Sequence, residues 1–178
     1  MSFLRVSGES GESQRGNNLS GDNMKKIFVL LLVVGSLFAV DKKWSDSFPQ
    51  KDLNGKAIIY DKQVYLVDVW ATWCPPCRLT IPELIALQEE ITKNFTVLGL
   101  SVDQESAEYV ADFVKKEKVN YPVALAGEAL RTLPAVRGIP TMFVLDKNGK
   151  IVKTFVGYTD RKTLSLAVKK VLEAHEIH

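Results

Sequence analysis

The run Trp73-Cys74-Pro75-Pro76-Cys77-Arg78 contains both cysteines of the 178-residue chain. Two thiols at this spacing can interconvert between dithiol and disulfide, so the chemistry they support is thiol–disulfide exchange. The pair follows an apolar, strand-like run, Val64 to Trp70, and opens a helix-like one, Cys77 to Lys93. At a helix start a sulfur faces unpaired backbone N–H groups and the positive end of the helix dipole, and both favour thiolate, the attacking species. Cys74 is therefore expected to attack, and Cys77, one turn further in, to resolve the mixed disulfide. A purely structural bridge is disfavoured, because a loop between positions three apart constrains the unfolded chain little. A c-type haem attachment is excluded by Arg78, which stands where His is required.

The residues around the pair refine this chemistry. Pro75 and Pro76 have no N–H to offer the sulfur and no charge, which leaves the Cys77 N–H as the main backbone donor nearby. Stabilising the reduced thiolate makes a pair more oxidising, so this sparse donor set predicts a moderately perturbed Cys74 and a reducing pair. Asp68, the one carboxyl in the Val64–Trp70 run, is expected to have a raised pKa and to take the proton of Cys77; the alternative is a satisfied structural Asp at a strand end. Trp70 and Trp73 are expected to form an apolar collar, with core packing the competing role for each. Gly138-Ile139-Pro140-Thr141 places a Pro at the first residue of a strand, a position that suits a cis bond, and Ile139 would then offer backbone groups to an extended substrate. The surface expected to meet that substrate comprises Trp73, Pro75, Pro76, Ile139, Pro140 and Thr141.

The elements that must position these residues follow from hydrophobic periodicity. Val64–Trp70 is apolar on both faces, as a strand buried from two sides requires. Leu79, Ile81, Leu84, Ile85, Leu87 and Ile91 recur at helical spacing, with Pro82 expected to kink that helix. Phe95 to Val102 predicts a second buried strand, so strand–helix–strand implies two parallel neighbours joined by a right-handed crossover. A helix over 104–118, a short extended piece at 121–125, a helical turn or two over 128–135, a hairpin of 141–145 with 151–156, and a helix over 160–174 complete the order. Phe48-Pro49, the turn Leu53-Asn54-Gly55-Lys56 and Ala57 to Tyr60 predict a further hairpin ahead of the sheet. The expected fold is α/β: a mixed sheet of four or more strands flanked by helices, with the pair at the carboxyl end of a central strand, where open α/β sheets place their sites.

Composition bounds the rest. With 46% apolar and 25% charged residues and a net charge of +2, the chain suits one globular domain and gives no broad basic face for nucleic acid. Met24-Lys25-Lys26 followed by the apolar run 27–40 has the build of a secretory signal. That run has 14 residues, short of the ~20 a spanning helix needs, which favours a cleaved signal ending at Ala39, although Leu37 is large for the site and leaves an anchor as the alternative. Residues 1–23 carry no apolar periodicity and are expected to be a disordered leader, with Met24 the candidate start. Residues 41–178 are the expected folded domain.

Val67-Asp68-Val69-Trp70-Ala71-Thr72-Trp73-Cys74-Pro75-Pro76-Cys77-Arg78, with Gly138-Ile139-Pro140-Thr141 downstream, resembles the thioredoxin superfamily. Phe48, Leu53-Asn54-Gly55-Lys56, Ile81-Pro82-Glu83-Leu84 and Asp146-Lys147-Asn148-Gly149-Lys150-Ile151-Val152 are similar to its exported TlpA/ResA/CcmG-like branch, over roughly 47–172. The resemblance implies a thioredoxin fold with Pro140 cis, Cys74 as nucleophile and Cys77 as resolving thiol. It implies a periplasmic reductase, soluble or anchored by residues 27–40, that takes electrons from a membrane thiol reductase and passes them to exported protein disulfides. Targets of the branch include the haem-attachment cysteines of apocytochromes c; Thr80 stands where many relatives carry an acid, which points as readily to a general reductase. A monomer is expected, with no cofactor beyond the redox-active disulfide Cys74–Cys77. Two rivals remain: a thiol peroxidase, for which Thr72 is placed but Arg131 and Arg137 are poor partners, and a metal-delivery module using the pair with His175 or His178.

Overall fold

The computed structural model describes residues 44–61 and 63–176, without the side chains of residues 175 and 176. The leader 1–23, the apolar segment 24–40, and the His175 and His178 side chains lie outside the described residues. Five strands form one sheet: β1 (Val64–Trp70), β2 (Phe95–Ser101), β3 (Val123–Leu125), β4 (Thr141–Leu145) and β5 (Ile151–Val156). Among the described residues, three α-helices accompany them: α1 (Pro75–Glu90) after β1, α2 (Ala107–Lys116) after β2, and α3 (Arg161–Glu176) after β5. The strand order is β3-β2-β1-β4-β5, with β1, β2 and β3 parallel and β4 and β5 antiparallel to their neighbours. This is the mixed, helix-flanked sheet that the periodicity predicts, with β1 at its centre.

Every residue of β1 is buried, which explains its unbroken apolar character: both faces of the strand meet core. Val64, Leu66 and Trp70 point into a cluster with Cys77, Ile81, Leu84 and Leu87 of α1, Val110 of α2, and Leu164 and Val168 of α3. Tyr65, Val67 and Val69 point the other way, toward Phe48, Ile58, Ala129 and Leu133. The helices therefore cover one face, and the segment before β1 together with the 3₁₀ turn Gly127–Arg131 covers the other.

The hairpin anticipated ahead of the sheet is present as one antiparallel bridge, Lys51 to Ala57. It stays short because its donors are taken elsewhere. Asp52 Oδ1 accepts the N–H groups of Asn54 and Lys56, and Leu53 N–H donates to the carbonyl of Val123 on the edge strand β3. The β4–β5 turn repeats the same chemistry: Asp146 Oδ1 accepts from Asn148 and Lys150, each at 2.9 Å. Both turns follow the pattern Asp-x-Asn-Gly-Lys, and both glycines take positive φ, 78° at Gly55 and 77° at Gly149, where a side chain would be strained.

α2 starts three residues later than the periodicity suggests, because Ser106 caps it by accepting the Tyr109 N–H at 3.3 Å. α1 runs unbroken through Pro82, which has no N–H for the carbonyl one turn back. Glu83 and Glu90 of α1 tie down the start of α3. Glu83 accepts from Arg161 N and Tyr158 Oη, while Glu90 receives Arg161, Lys169 and Ser165, each at 2.7 Å. Those donors hold the Glu90 carboxyl at about 2, with Lys169 the largest contribution.

Candidate active site

Cys74 and Cys77 form a disulfide with Cα atoms 5.3 Å apart, at the point where β1 gives way to α1. Cys74 is the N-cap of α1: its backbone is extended and its Sγ accepts the Cys77 N–H at 3.3 Å. Pro75 and Pro76 occupy the first two helical positions, where a helix has no intrahelical use for an N–H. The two prolines thus start the helix without cost and remove two of the donors that would surround the sulfur. The Cys77 N–H is the backbone donor that reaches it, as the sequence predicts.

Both cysteines are buried as residues, at 3% and 0% exposure. The Ile139–Pro140 bond is cis, and the Ile139 carbonyl oxygen lies 3.6 Å from Cys74 Sγ. Thr141 Oγ1 donates to Gly138 O across the bend, and Pro140 O accepts the Gly157 N–H from the end of β5. The loop is therefore fixed on both sides, with its Ile139 carbonyl aimed at the sulfur. Trp73, by contrast, is 64% exposed. Trp70 is buried beside Phe113, 5.6 Å between ring centroids, and the Arg78 guanidinium sits 5.8 Å from the same Phe113 ring. The expected collar thus divides: Trp70 belongs to the core, and Trp73 remains at the surface beside the disulfide. Sequence spacing alone could not separate them, although position does, since Trp70 ends the buried strand and Trp73 lies in the loop beyond it.

Asp68 is 1% exposed, and neither of its carboxyl oxygens has a hydrogen-bond partner. It shares a face of β1 with Leu66 and Trp70, the face that packs into the cluster containing Cys77. Its neighbours across the sheet are Gly99 on β2 and Met142 on β4. Burial pushes the Asp68 carboxyl from 3.8 up to about 7, because a charged form without a partner is penalised in an apolar site. The satisfied structural Asp considered from the sequence does not occur.

Thr72 is held by Asp103. Its hydroxyl donates to Asp103 Oδ1 at 2.5 Å, and its N–H lies 3.0 Å from Oδ2. Arg131 pairs with Glu128 on the surface. Thr80 is buried, and its hydroxyl returns to the Pro76 carbonyl within α1 at 3.1 Å. Asp103 stands outside the motif around the cysteines, although Ser101-Val102-Asp103 at the end of β2 carries a signal: two polar residues at period two at the end of a parallel, buried strand. Among the described residues, no group of three or more His, Cys, Asp or Glu could hold a metal ion. Among the same residues, no helix is long and apolar enough to cross a membrane.

Comparison with known proteins places this geometry. A model of the Redoxin family matches residues 47–172. The chain is 29% identical to the thiol-disulfide oxidoreductase ResA of Bacillus cereus over 165 residues, covering 82% of this chain and 94% of that protein. The crystal structure of a thiol:disulfide interchange protein of the thioredoxin family from Chlorobium tepidum superposes with a TM-score of 0.64 at 32% identity, covering 71% of this chain and 93% of that one. A secreted thiol-disulfide isomerase from Corynebacterium glutamicum superposes with a TM-score of 0.63 at 26% identity, over 69% of this chain and 81% of that one. The fold is thus the thioredoxin fold, and the Cys74–Cys77 pair stands at its redox-active position. With the match spanning most of the folded domain, the chain belongs to the Redoxin family, as a thiol-disulfide oxidoreductase of the ResA type.

Proposed function

We propose that the protein works outside the cytoplasm, in the periplasm, as a reductase of disulfides in exported proteins. The observation that carries the reading is a Cys74–Cys77 pair capped by a single backbone donor, with a buried, unpartnered carboxyl on the β1 face that packs into the cluster containing Cys77. In the reduced protein the Cys74 thiolate attacks one sulfur of a substrate disulfide. A Cys74–substrate disulfide forms and one substrate thiolate leaves. Cys77 then gives its proton to the Asp68 carboxylate and attacks Cys74 Sγ, so the second substrate thiol departs and the two electrons of the pair have passed to the substrate. Electrons return from a membrane thiol reductase, which restores the dithiol.

Trp73, Pro75, Pro76, Ile139, Pro140 and Thr141 meet the substrate chain. Trp73 supplies exposed aromatic surface, and the Ile139 carbonyl, now turned toward Cys74 Sγ at 3.6 Å, is a backbone group beside the reacting sulfur from the facing loop. Export is supported by the basic start and apolar run over 24–40, and by similarity to a protein described as secreted. Apocytochrome c thiols are one target class. Thr80, whose hydroxyl is spent on its own helix, offers no acid there and favours a general reductase.

The test is trapping. Cys77→Ser, expressed with residues 24–40 intact in a bacterium with a periplasm, should hold exported proteins in mixed disulfides with Cys74. Non-reducing gels and mass spectrometry would identify them. Adducts found only with cytoplasmic proteins, or their absence while Cys74 stays free and reactive, would contradict the proposal.

A further inference from the structure

The segment Ala71-Thr72-Trp73-Cys74 is held by a carboxylate from the neighbouring strand. Asp103 Oδ2 accepts the Ser101 hydroxyl at 2.7 Å and lies 3.0 Å from the Thr72 N–H, while Oδ1 accepts the Thr72 hydroxyl at 2.5 Å. The Asp103 N–H in turn donates to Ser101 Oγ at 3.1 Å. Thr72 and Ser101 are both buried, at 5% and 1% exposure. The Val102 N–H donates to Trp70 O at 2.9 Å, and the Cys74 N–H to Ala71 O at 3.2 Å. Thus the short link between β1 and α1 is pinned before, within and after its turn. Its middle residue is gripped through both its backbone and its side chain by one anion, and hydrogen bonds to a charged acceptor are stronger than neutral ones.

We infer that Asp103, acting through Thr72, is a positioning residue that fixes Trp73 and Cys74 in the orientation needed to engage a protein substrate. Thr72 directly precedes the exposed Trp73 and lies two residues before Cys74. The sulfur must meet both the Cys77 N–H and the Ile139 carbonyl, at 3.3 and 3.6 Å. A displacement of about 1 Å at a contacting group can cost up to ~100-fold in rate, and loosening at Thr72 would shift the Trp73 indole relative to Cys74, whose sulfur stays against the Cys77 N–H and the Ile139 carbonyl. Docking a folded protein requires the indole and the sulfur to be aligned together, whereas a small disulfide needs the sulfur alone. The inference rests on the reading that Cys74 attacks.

The experiment uses the full chain and three variants. Thr72→Val keeps the volume and loses the hydroxyl bond; Asp103→Asn leaves one oxygen to serve the donors; Thr72→Ser keeps both Thr72 bonds. Reduction of insulin is compared with reduction of glutathione disulfide, alongside ¹H–¹⁵N heteronuclear NOE values at the Trp73 and Cys74 amides and the melting temperature. Thr72→Val and Asp103→Asn should lower kcat/KM on insulin about tenfold, change the rate with glutathione disulfide less than twofold, and lower both NOE values. Thr72→Ser should match the unmodified chain. Unchanged NOE values and insulin rates in Thr72→Val and Asp103→Asn would overturn the inference, as would a Thr72→Ser loss equal to that of Thr72→Val. Equal losses on both substrates that track the melting temperature would also overturn it, by reducing the clamp to a structural role. The amide dynamics do not depend on turnover. An unmodified chain inert toward both disulfides would count against the reductase reading, while the Trp73 amide would still decide the clamp.

Discussion

The carbonyl oxygen of Ile139 lies 3.6 Å from Sγ of Cys74, across 65 positions of sequence. β1 and β4 are adjacent and antiparallel, with Val69 opposite Thr141, so the end of one strand and the start of the other meet at the same edge of the sheet. Reduction of Cys74 alters the charge and hydrogen-bonding capacity of the sulfur that faces this carbonyl. Comparing ¹H–¹⁵N spectra of the oxidised and reduced protein should therefore show the largest shifts at 74–78 and a second group at Ile139 and Thr141. The turn Asp146–Lys150 should stay unchanged. Shifts confined to 74–78 would contradict the coupling of the two loops.

Asp68 contributes a stability term of definite sign. Its folded-state pKa of about 7 lies above the ordinary carboxyl value of 3.8. The native carboxyl therefore stays protonated at pH values where the unfolded one has already ionised, and stability falls as pH rises through that window and then levels off above about 7. The full penalty is on the order of 4 kcal/mol, from about 1.4 kcal/mol per pKa unit. Asp68→Asn should raise the denaturation midpoint at pH 8 and have a much smaller effect at pH 4. The same variant should slow resolution of a trapped mixed disulfide near neutral pH and remove the inflection near 7 from its rate profile. A resolution rate identical to that of the unmodified chain across pH would remove Asp68 from the proton path.

Gly99 sits beside Asp68 on β2 because little else fits. A Cβ there would lie 3.0 Å from Trp70 Nε1 and 3.1 Å from Val123 Cγ2. Gly99→Val should therefore destabilise the fold by about 1–3 kcal/mol through overpacking, read as a lowered urea midpoint with an unchanged m-value. An unchanged midpoint would mean that β3 yields without cost.

Much of this architecture was legible from local pattern. The unbroken apolar run Val64–Trp70 announced a central strand, and the Cys74-Pro75-Pro76-Cys77 spacing at its end announced both the exchange pair and the sparse donor set around it. What was not legible depends on contacts distant in sequence. The separation of Trp70 from Trp73 follows from where the strand ends, and the engagement of Thr72 by Asp103 follows from the parallel register of β1 and β2. The bridge Lys51–Ala57 fell short of a hairpin because Leu53 pairs with Val123, some seventy residues away. Periodicity carries no information about such a partner.

Ser106 illustrates a local feature with a separable cost. Its side chain accepts the Tyr109 N–H at the start of α2, so Ser106→Ala should cost about 1 kcal/mol of stability and leave the rate of insulin reduction unchanged. Ser106 lies about two helical turns before Phe113, the α2 residue that packs on Trp70 and Arg78 beside the pair. A fall in rate without a fall in stability would show that α2 takes part in the exchange.

Reducing character is the central claim, and its origin is the pair of prolines that leaves Cys74 Sγ with the Cys77 N–H as its capping donor. The direct measurement is the equilibrium of the Cys74–Cys77 disulfide with a graded series of reduced and oxidised glutathione, followed by alkylation and mass spectrometry. The expected potential lies between about −270 and −200 mV, the span of thioredoxin and the glutaredoxins. A value near about −120 mV, that of a strong protein oxidant, would contradict it.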